Sequence, residues 1–381
     1  MNLLRHNSLY NKTTRKKPMK RVAILATGDE IINGDLVNTN GQIIAQRLFE
    51  HGITPGQQMT VADNQLEIHQ SLITLAKQHD VIITIGGLGP TSDDLTRFAI
   101  GDFCKQELIF NEQSWQRVLA IGKKFNIHMH ESNRQQAYFP ETASIIANPY
   151  GSADACIIKH GSLSVIMLPG PPRECLPIFD QDILPYLMEL NLAEPSKLYR
   201  WRLLGIPEAE IAANVTDIVT SFGYSAGFRA HFPYIEVKLL CKNPANLNTT
   251  CQTQLETLFA PYLASRSEQS CKELLINHLV NHKISLIIDD NASFGYLHSQ
   301  LLTPQSYPWL SQAEKTQALN IKLSGLNEFW QSEPYGRTTI NISINGQCYD
   351  QSIPLRGQTT LSAFVEYSCW VILKHLMTSS R

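Results

Sequence analysis

No apolar run in this sequence reaches the roughly 18 residues that a membrane-spanning helix needs. No two cysteines stand at Cys-x-x-Cys spacing. The eight present (Cys104, Cys156, Cys175, Cys241, Cys251, Cys271, Cys348 and Cys369) are scattered. That pattern argues against a zinc ribbon or a disulfide framework and suits a reducing cytosol, so a cytoplasmic protein is expected. Net charge is also nearly absent. The 32 Lys and Arg against 34 Asp and Glu leave −2, which gives no pull toward nucleic acid or an anionic membrane. There is no basic patch interleaved with aromatics to add one. Tandem repeats and low-complexity tracts are missing as well. The opening Met1–Lys20 is polar and basic and lacks the apolar core of a secretory signal. Residues 1–18 are read as a disordered tail or an upstream start, with Met19 as the working start. A functional basic arm is the lesser alternative.

What is present is an ordinary share of apolar residues, 43% of 381. That length suggests two or three domains, each able to bury a core. The chain is organised around Asp80–Arg97, DVIITIGGLGPTSDDLTR. An apolar strand, Val81 to Ile85, runs into the turn Gly86-Gly87-Leu88-Gly89-Pro90. A helix-like segment then starts near Leu95. Glycines let backbone N–H groups approach a ligand closely, and a helix N-terminus favours an anion. Asp93 and Asp94 are placed in the first turn, where they can cap the helix or hold a divalent cation that bridges phosphate oxygens. The stretch is neither a P-loop nor a GxGxxG fingerprint. A plain strand–helix loop with an Asp cap is the alternative.

Strands and helices alternate around this element. Strands are expected at Lys20–Thr27, Met59–Ala62, Ser144–Ala147, Ala155–Lys159 and Ser164–Leu168. Helices are expected at Asn38–His51, Asn64–Gln78, Asn111–Phe125 and Ser132–Phe139, with a further helix through Ile178 to Leu187. The alternation implies a mostly parallel α/β sheet. Two more strand-end loops carry chemistry. Gly28-Asp29-Glu30 brings acids. Pro169-Gly170-Pro171-Pro172-Arg173-Glu174 brings an arginine, either a forked donor to phosphate or half of a surface Arg–Glu pair. A boundary falls near Asn191–Ser196. A small α+β section follows, with strands at Leu198–Leu204 and Tyr234–Leu240 and helices at Glu208–Ser221 and Asn246–Leu263. A second boundary falls near Ala264–Ser270. The last section has a helix at Cys271–His282, a strand at Ile284–Ile288 and a polar segment at Thr303–Pro334. Two strands flank Asn345-Gly346, a type I′ hairpin signal, and a helix at Thr360–Met377 closes the chain. The histidines His69, His79, His128, His130 and His160 lie apart and are read as surface or core groups.

Three motifs now stand in order: TGDEIINGDLVNTNG (Thr27–Gly41), GGLGPTSDD (Gly86–Asp94) and LPGPPRE (Leu168–Glu174). NRQQAYFP (Asn133–Pro140) lies between the last two. Together they resemble the CinA family of competence/damage-inducible proteins from about Met19 to Leu187. GIPEAEI (Gly205–Ile211) resembles that family's small middle domain. The resemblance implies a doubly wound, molybdopterin-binding-like (MoCF-type) α/β domain at 19–190, a small α+β domain at 197–264 and a C-terminal α/β domain at 271–381. It implies a homodimer and metal-dependent hydrolysis of ADP-ribose to AMP and ribose 5-phosphate. The implied cofactor is Mg²⁺, Mn²⁺ or Co²⁺, held by Asp29 and Asp94, with Glu30 or Asp93 orienting water. The implied phosphate side comprises Gly28, Asn40, Gly86, Gly87, Gly89, Thr91, Ser92, Asn133, Gly170, Arg173 and Glu174. A binder of molybdopterin or a nucleotide that does not hydrolyse it is the alternative. Two departures stand out. Asp154-Ala155 replace a Pro-Gly pair. In the C-terminal section, which resembles a nicotinamide-nucleotide amidase, the position of the nucleophilic serine holds Asn291, and Phe294 replaces a glycine. An amide cannot form an acyl-enzyme, so an inactive C-terminal domain is expected. Ser293 as a displaced nucleophile is the alternative.

Overall fold

Apolar residues on consecutive positions, rather than alternate ones, mark strands covered on both faces. Three such strands make the centre of the first of two compact units, Met1–Pro195 and Ser196–Arg381. The computed structural model describes residues 21–242, 246–310, 318–333 and 335–379. The expected extension at 1–18 lies outside them, as do Pro334 and part of the polar segment before it.

The first unit carries strands β1 (Val22–Thr27), β2 (Pro55–Val61), β3 (Val81–Ile85), β4 (Leu108–Phe110), β5 (Tyr138–Pro140), β6 (Ser144–Ile146), β7 (Ala155–His160) and β8 (Leu163–Leu168). Six of them form one sheet in the order β2-β1-β3-β8-β7-β6. The pairs β1–β2, β1–β3 and β3–β8 are parallel, and β7 and β6 close the far edge antiparallel. The fold is therefore the expected doubly wound, mostly parallel α/β sheet. Its helices are α1 (Asp29–Ile32), α2 (Thr39–Glu50), α3 (Gln65–Ala76), α4 (Thr96–Cys104), α5 (Glu112–Phe125), α6 (Pro172–Ile178) and α7 (Leu184–Glu189). The two-residue period of a strand sends Ala23, Leu25 and Ile82 to a core shared with Ile68 and Leu72 of α3 and Ile100 of α4. It sends Ile24, Ile83 and Ile166 to the other face, against Ile44 and Leu48 of α2 and Ile178 of α6. Each such side chain, fully removed from water, contributes about 1.5–3 kcal/mol. Asparagines start three of the helices. Asn38, Asn64 and Asn111 each accept a backbone N–H of the first turn at 2.9–3.1 Å.

Two expectations in this unit are corrected. Ser132–Phe139 is not an α-helix. It is a 3₁₀ segment, Glu131–Ala137, that passes directly into β5, because Tyr138–Pro140 pair with β4. Asp93 and Asp94 do not sit in the first turn of α4, which begins only at Thr96.

In the second unit β9 (Ser196–Leu203), β10 (Ala226–His231), β11 (Tyr234–Lys242) and β12 (Leu263–Ser265) form an antiparallel sheet in the order β10-β11-β9-β12. The helices α8 (Glu208–Ser221) and α9 (Thr249–Phe259) cover one face of it, with Val215, Leu255 and Phe259 packed around Trp201. α9 stops four residues short of its expected end, and Leu263 instead enters β12.

The remainder follows as α10 (Cys271–His282), β13 (Leu286–Asp290), α11 (Tyr296–Leu301), α12 (Tyr307–Leu310), β14 (Leu319–Gly325), α13 (Asn327–Trp330), β15 (Gly336–Ile344), β16 (Gln347–Leu355) and α14 (Thr359–Ser379). Its sheet runs β13-β14-β15-β16, with the first pair parallel. Asn345 and Gly346 both take positive φ, 48° and 89°, as a type I′ turn requires. Leu204 and Tyr234 join the core of this second sheet.

The other face of the antiparallel sheet holds one fully buried acid, Glu236. Four cations surround its carboxylate: Lys238 at 2.9 Å, Arg229 at 3.2 Å, Arg202 at 3.7 Å and Arg200 at 3.8 Å. Among the described residues no helix is long and apolar enough to cross a membrane.

Candidate functional site

Parallel strands place their following loops along one edge of a sheet, and ligands collect there. At the carboxyl ends of β1, β3 and β8 the first unit opens a cavity of about 740 Å³. Its walls come from Gly28 and Glu30, from Gly86–Pro90 with Asp93 and Asp94, and from Pro169–Pro172 with Glu174. The start of α2, Asp63 at the end of β2, and Gln136, Ser152 and Ala153 complete them.

The glycine turn is tightly specified. Gly86 and Gly87 take φ of 99° and 65°. A Cβ on Gly87 would stand 2.1 Å from the Thr96 hydroxyl, and one on Gly86 would stand 2.6 Å from the Thr27 carbonyl oxygen. The turn is tied down on every side. The Gly86 amide donates to Leu168 at 3.1 Å and the Thr96 amide to Gly87 at 3.2 Å. Gln135 Nε2 donates to the carbonyls of Gly89 (2.9 Å) and Thr91 (2.8 Å). Arg97, only 1% exposed, donates from its two terminal nitrogens to the carbonyls of Leu88 and Tyr138. Burial lowers the Arg97 pKa to about 10, so the guanidinium still carries its charge at neutral pH. Gly87→Ala combines an unfavourable φ with a steric clash. It is expected to lower stability by about 1–3 kcal/mol, measured by urea denaturation. An unchanged denaturation midpoint would mean that the turn adapts.

The electrostatics of the cavity are one-sided. Five carboxylates line it (Glu30, Asp63, Asp93, Asp94 and Glu174), and its walls contain no lysine, arginine or histidine. Asp63 sits amid this charge. Burial, together with repulsion from Asp29, Glu30 and Asp93, holds its carboxyl above the ordinary range. Among the described residues, no three acid, histidine or cysteine side chains converge closely enough to hold a metal by themselves.

The structure divides the expected site residues into three groups. Gly28, Glu30, Asn40, Gly86, Gly87, Gly89, Asp93, Asp94, Gly170 and Glu174 line the cavity. Several of these have structural duties as well. Asp94 accepts the amides of Gly89 (2.7 Å) and Thr91 (2.8 Å) and also the Thr91 hydroxyl, so it shapes the loop. Asn40 donates to the Gly170 carbonyl at 2.7 Å, joining α2 to the loop after β8. Glu174 accepts from Asn148 Nδ2 at 2.9 Å. A second group, Asp29, Thr91 and Ser92, stands beside the cavity without lining it. Asp29 and Asp63 are locked by reciprocal bonds, each backbone amide donating to the other's carboxylate at 3.1 Å.

The third group is drawn elsewhere. Arg173 is 83% exposed and lies 3.8 Å from Glu174, which makes it one half of a surface Arg–Glu pair beside the cavity. Asn133 accepts the His130 amide at 2.9 Å and closes the 3₁₀ segment. The replaced Pro-Gly pair also has its reason. Asp154 is buried and accepts from Arg117 Nε at 2.9 Å and from the Asn148 amide at 2.8 Å, which fixes the turn through an ion pair. Asp63, Arg97 and Gln135 were not anticipated. Asp63 alone had a legible signal, being an acid at a strand end like Asp29 and Asp93.

In the second unit Asn291 donates to Asp289 Oδ1 at 3.0 Å. Ser293 is buried, and its hydroxyl donates to Asp290. No histidine or lysine is bonded to that hydroxyl among the described residues. Phe294 is 78% exposed at φ 53° and meets the Trp330 ring edge-on at 5.2 Å.

Residues 23–189 match the MoCF_biosynth family model, described as a probable molybdopterin binding domain. A competence-damage inducible protein of Alkaliphilus oremlandii is 31% identical over 300 residues, 76% of this chain and 71% of the relative. One from Clostridium botulinum is 30% identical over 327 residues, 81% and 79% of the two chains. The crystal structure of the protein CinA from Thermoplasma acidophilum is 29% identical to the part it matches. It covers 46% of this chain and 99% of its own, with a TM-score of 0.41.

Proposed function

We propose a function from one premise: the chain belongs to the competence-damage inducible (CinA) protein family. Its first unit hydrolyses the pyrophosphate linkage of an ADP-ribose-like nucleotide to AMP and ribose 5-phosphate. The observation that carries this reading is that five carboxylates, and no lysine, arginine or histidine, stand among the described residues that line the cavity. A pyrophosphate entering alone would be repelled. Entering with a divalent cation, it would relieve the repulsion that, in addition to burial, raises Asp63. The donors are all oxygen, which fits Mg²⁺, Mn²⁺ or Co²⁺, and such ions commonly take one or two carboxylates together with substrate phosphates and water.

Asp63 and one of Glu30 and Asp93 are the carboxylates we assign to the cation. Asp29 and Asp94, the first expected ligands, position Asp63 and the glycine turn. When bound, the cation neutralises the phosphates and polarises a phosphoryl oxygen. The amides of Gly87 and Leu88 receive a phosphate oxygen at the turn. The other of Glu30 and Asp93 accepts the proton of the attacking water, whose oxygen ends on one phosphate as the bridging oxygen leaves with the other. The protein works as a cytoplasmic homodimer, and its C-terminal section, with Asn291 at the nucleophile position, releases no ammonia from nicotinamide mononucleotide.

A second reading, a pterin-binding module without hydrolysis, is favoured by the match to a molybdopterin binding family model. One assay separates the two. The full chain is incubated with ADP-ribose and Mg²⁺, Mn²⁺, Co²⁺ or EDTA. AMP is expected only with metal, and Asp63→Asn is expected to lower the rate at least tenfold, about 1.4 kcal/mol of barrier. AMP absent with every metal would move the assignment to the binding module. Equal AMP in EDTA would remove the metal from the account.

A further inference from the structure

We propose that the face of the β10-β11-β9-β12 sheet turned away from α8 and α9 binds a free multivalent oxyanion, phosphate or pyrophosphate. The inference goes beyond the function proposed for the first unit and does not rest on it.

Strand alternation sends every second side chain to one face, and register decides which of them are neighbours. Trp201, Val237 and Leu239 pack with α8 and α9. The opposite face therefore carries Arg202, Glu236 and Arg229 in one row across β9, β11 and β10, since Glu236 pairs with Arg202 on one side and Arg229 on the other. The next row holds Arg200, Lys238 and Gly227. Lys238 and Arg200 are thus like charges directly opposite each other, which destabilises a sheet unless an anion is shared between them.

The charges on this face do not balance. Arg202, Arg229 and Lys238 have Glu236 as their only carboxylate among the described residues, at 3.7, 3.2 and 2.9 Å. Arg200 has Glu268 at 2.7 Å in addition to Glu236 at 3.8 Å. Glu366 accepts the Tyr234 hydroxyl and the Lys272 amide and pairs with none of the three. Three positive charges against one negative leave an excess of positive charge. Part of that excess is inside. The Arg202 side chain is 7% exposed. Its terminal nitrogens reach the Glu268 carbonyl and, at 3.5 Å, His231 Nδ1, while its Nε is buried with no hydrogen-bond partner. A buried charge without full compensation is costly, and a second anion over the row would offset that cost.

Gly227 provides the opening. It stands beside Lys238 and two residues from Arg229, and a Cβ there would meet nothing within 4 Å. The missing side chain leaves a notch between the Lys238 ammonium and the Arg229 guanidinium, 26% and 45% exposed. An ammonium has three N–H donors and a guanidinium five, so both keep donors after serving Glu236. A compact oxyanion offers several acceptor oxygens to such a pair, whereas chloride is a single point of charge. Glu236 competes with the ligand for the same two cations.

The test follows thermal unfolding of the full chain in EDTA at neutral pH, with phosphate or pyrophosphate against sodium chloride at equal ionic strength. For a Kd of roughly 1 mM, about 20 mM phosphate is expected to raise the wild-type Tm by about 4–7 °C. Arg229→Gln and Lys238→Gln should each weaken binding about tenfold, which cuts the rise to about a third. Glu236→Gln removes the competing carboxylate and should bind phosphate about tenfold more tightly, an effect that a purely structural ion cluster would not give. Asp63→Asn in the first cavity and Lys374→Gln on α14 should keep the wild-type rise. Arg229 and Lys238 are partly exposed, so their variants decide the matter should Glu236→Gln fail to fold. Equal Tm values in phosphate and chloride would overturn the proposal. So would a rise that survives both surface substitutions, a folded Glu236→Gln that binds no more tightly, or binding of an oligonucleotide without binding of free phosphate.

Discussion

Arg97→Ala is expected to cut ligand-dependent turnover at the first cavity by about 100-fold, the scale set by a misplacement of roughly 1 Å. The expected stability loss is smaller, and the reason lies in two opposing effects. Removing the side chain leaves the carbonyls of Leu88 and Tyr138 without their donors, at about 1–3 kcal/mol each. It also relieves a desolvated charge. The fall from 12.5 to about 10 in the Arg97 pKa corresponds to roughly 3 kcal/mol, at 1.36 kcal/mol per unit. The two effects largely offset, and the net change lies between about 1 kcal/mol of gain and about 3 kcal/mol of loss. Function should suffer more than stability because the guanidinium bridges the glycine turn to β5, and nothing else holds the Leu88 carbonyl there among the described residues. Amide exchange at Gly89 and Thr91 should quicken in the same variant. Arg97→Lys should lie between, since an ammonium cannot span two carbonyls in the fixed fork of a guanidinium. Unchanged turnover and exchange in Arg97→Ala would show that the turn keeps its shape unaided.

Glu236→Ala is expected to destabilise the second unit by about 3–5 kcal/mol, the usual consequence of removing one partner from a buried ion pair. Four cations would lose the carboxylate they share, though Arg200 keeps Glu268 at 2.7 Å, and Arg200 and Arg202 are almost fully buried. Burial alone would raise the Glu236 pKa. The Lys238 ammonium, with the guanidiniums of Arg229 and Arg200, outweighs it and holds the carboxyl below its ordinary 4.5. The sign of the pH dependence follows. The stabilisation is complete above about pH 4.5 and is lost as pH falls through the lower folded value. Urea denaturation followed at pH 7 and again below pH 4 should show the gap between wild type and Glu236→Ala narrowing in acid. A gap that stays constant would mean that the substitution acts through packing. Glu236→Gln, which keeps the shape and removes the charge, separates the two causes.

The doubly wound sheet was legible because β1, β3 and β8 are apolar runs with no competing period, and glycine or proline punctuates their ends. The helices α8 and α10 were legible from Pro207 ahead of one and the Ser270–Glu273 capping box ahead of the other. β10, AGFRAH, escaped because its outward face is exposed and polar, and its existence depends on pairing with β11. β14, LNIKLSG, alternates cleanly but was submerged in a polar, proline-bearing segment. At the site, the strand-end loops could be read, because glycine and acid have few other reasons to follow a buried strand. The individual roles could not. Asp94 and Asp93 are neighbours of the same type, yet Asp94 fastens the loop through three hydrogen bonds while Asp93 stands exposed on the cavity wall. Arg97 and Arg173 both followed loops of interest, and the one left unremarked is the one turned inward. Which way an arginine faces depends on carbonyls far along the chain, and no local pattern records them.

The sheet order β2-β1-β3-β8 has a consequence for how the protein comes into being on the ribosome. Ile82 pairs with Val165, so β3 waits for a strand made only after the whole of β4–β7 has been synthesised. Until then the Val81–Ile85 edge is open, a five-residue apolar strand with unmet backbone groups. Closing so long a loop is slow, and the exposed edge is the natural place for a chaperone to hold the nascent chain or for two such chains to stick together. The glycine turn that follows β3 is translated early, yet it gains its last wall only when Pro169–Pro172 have left the exit tunnel.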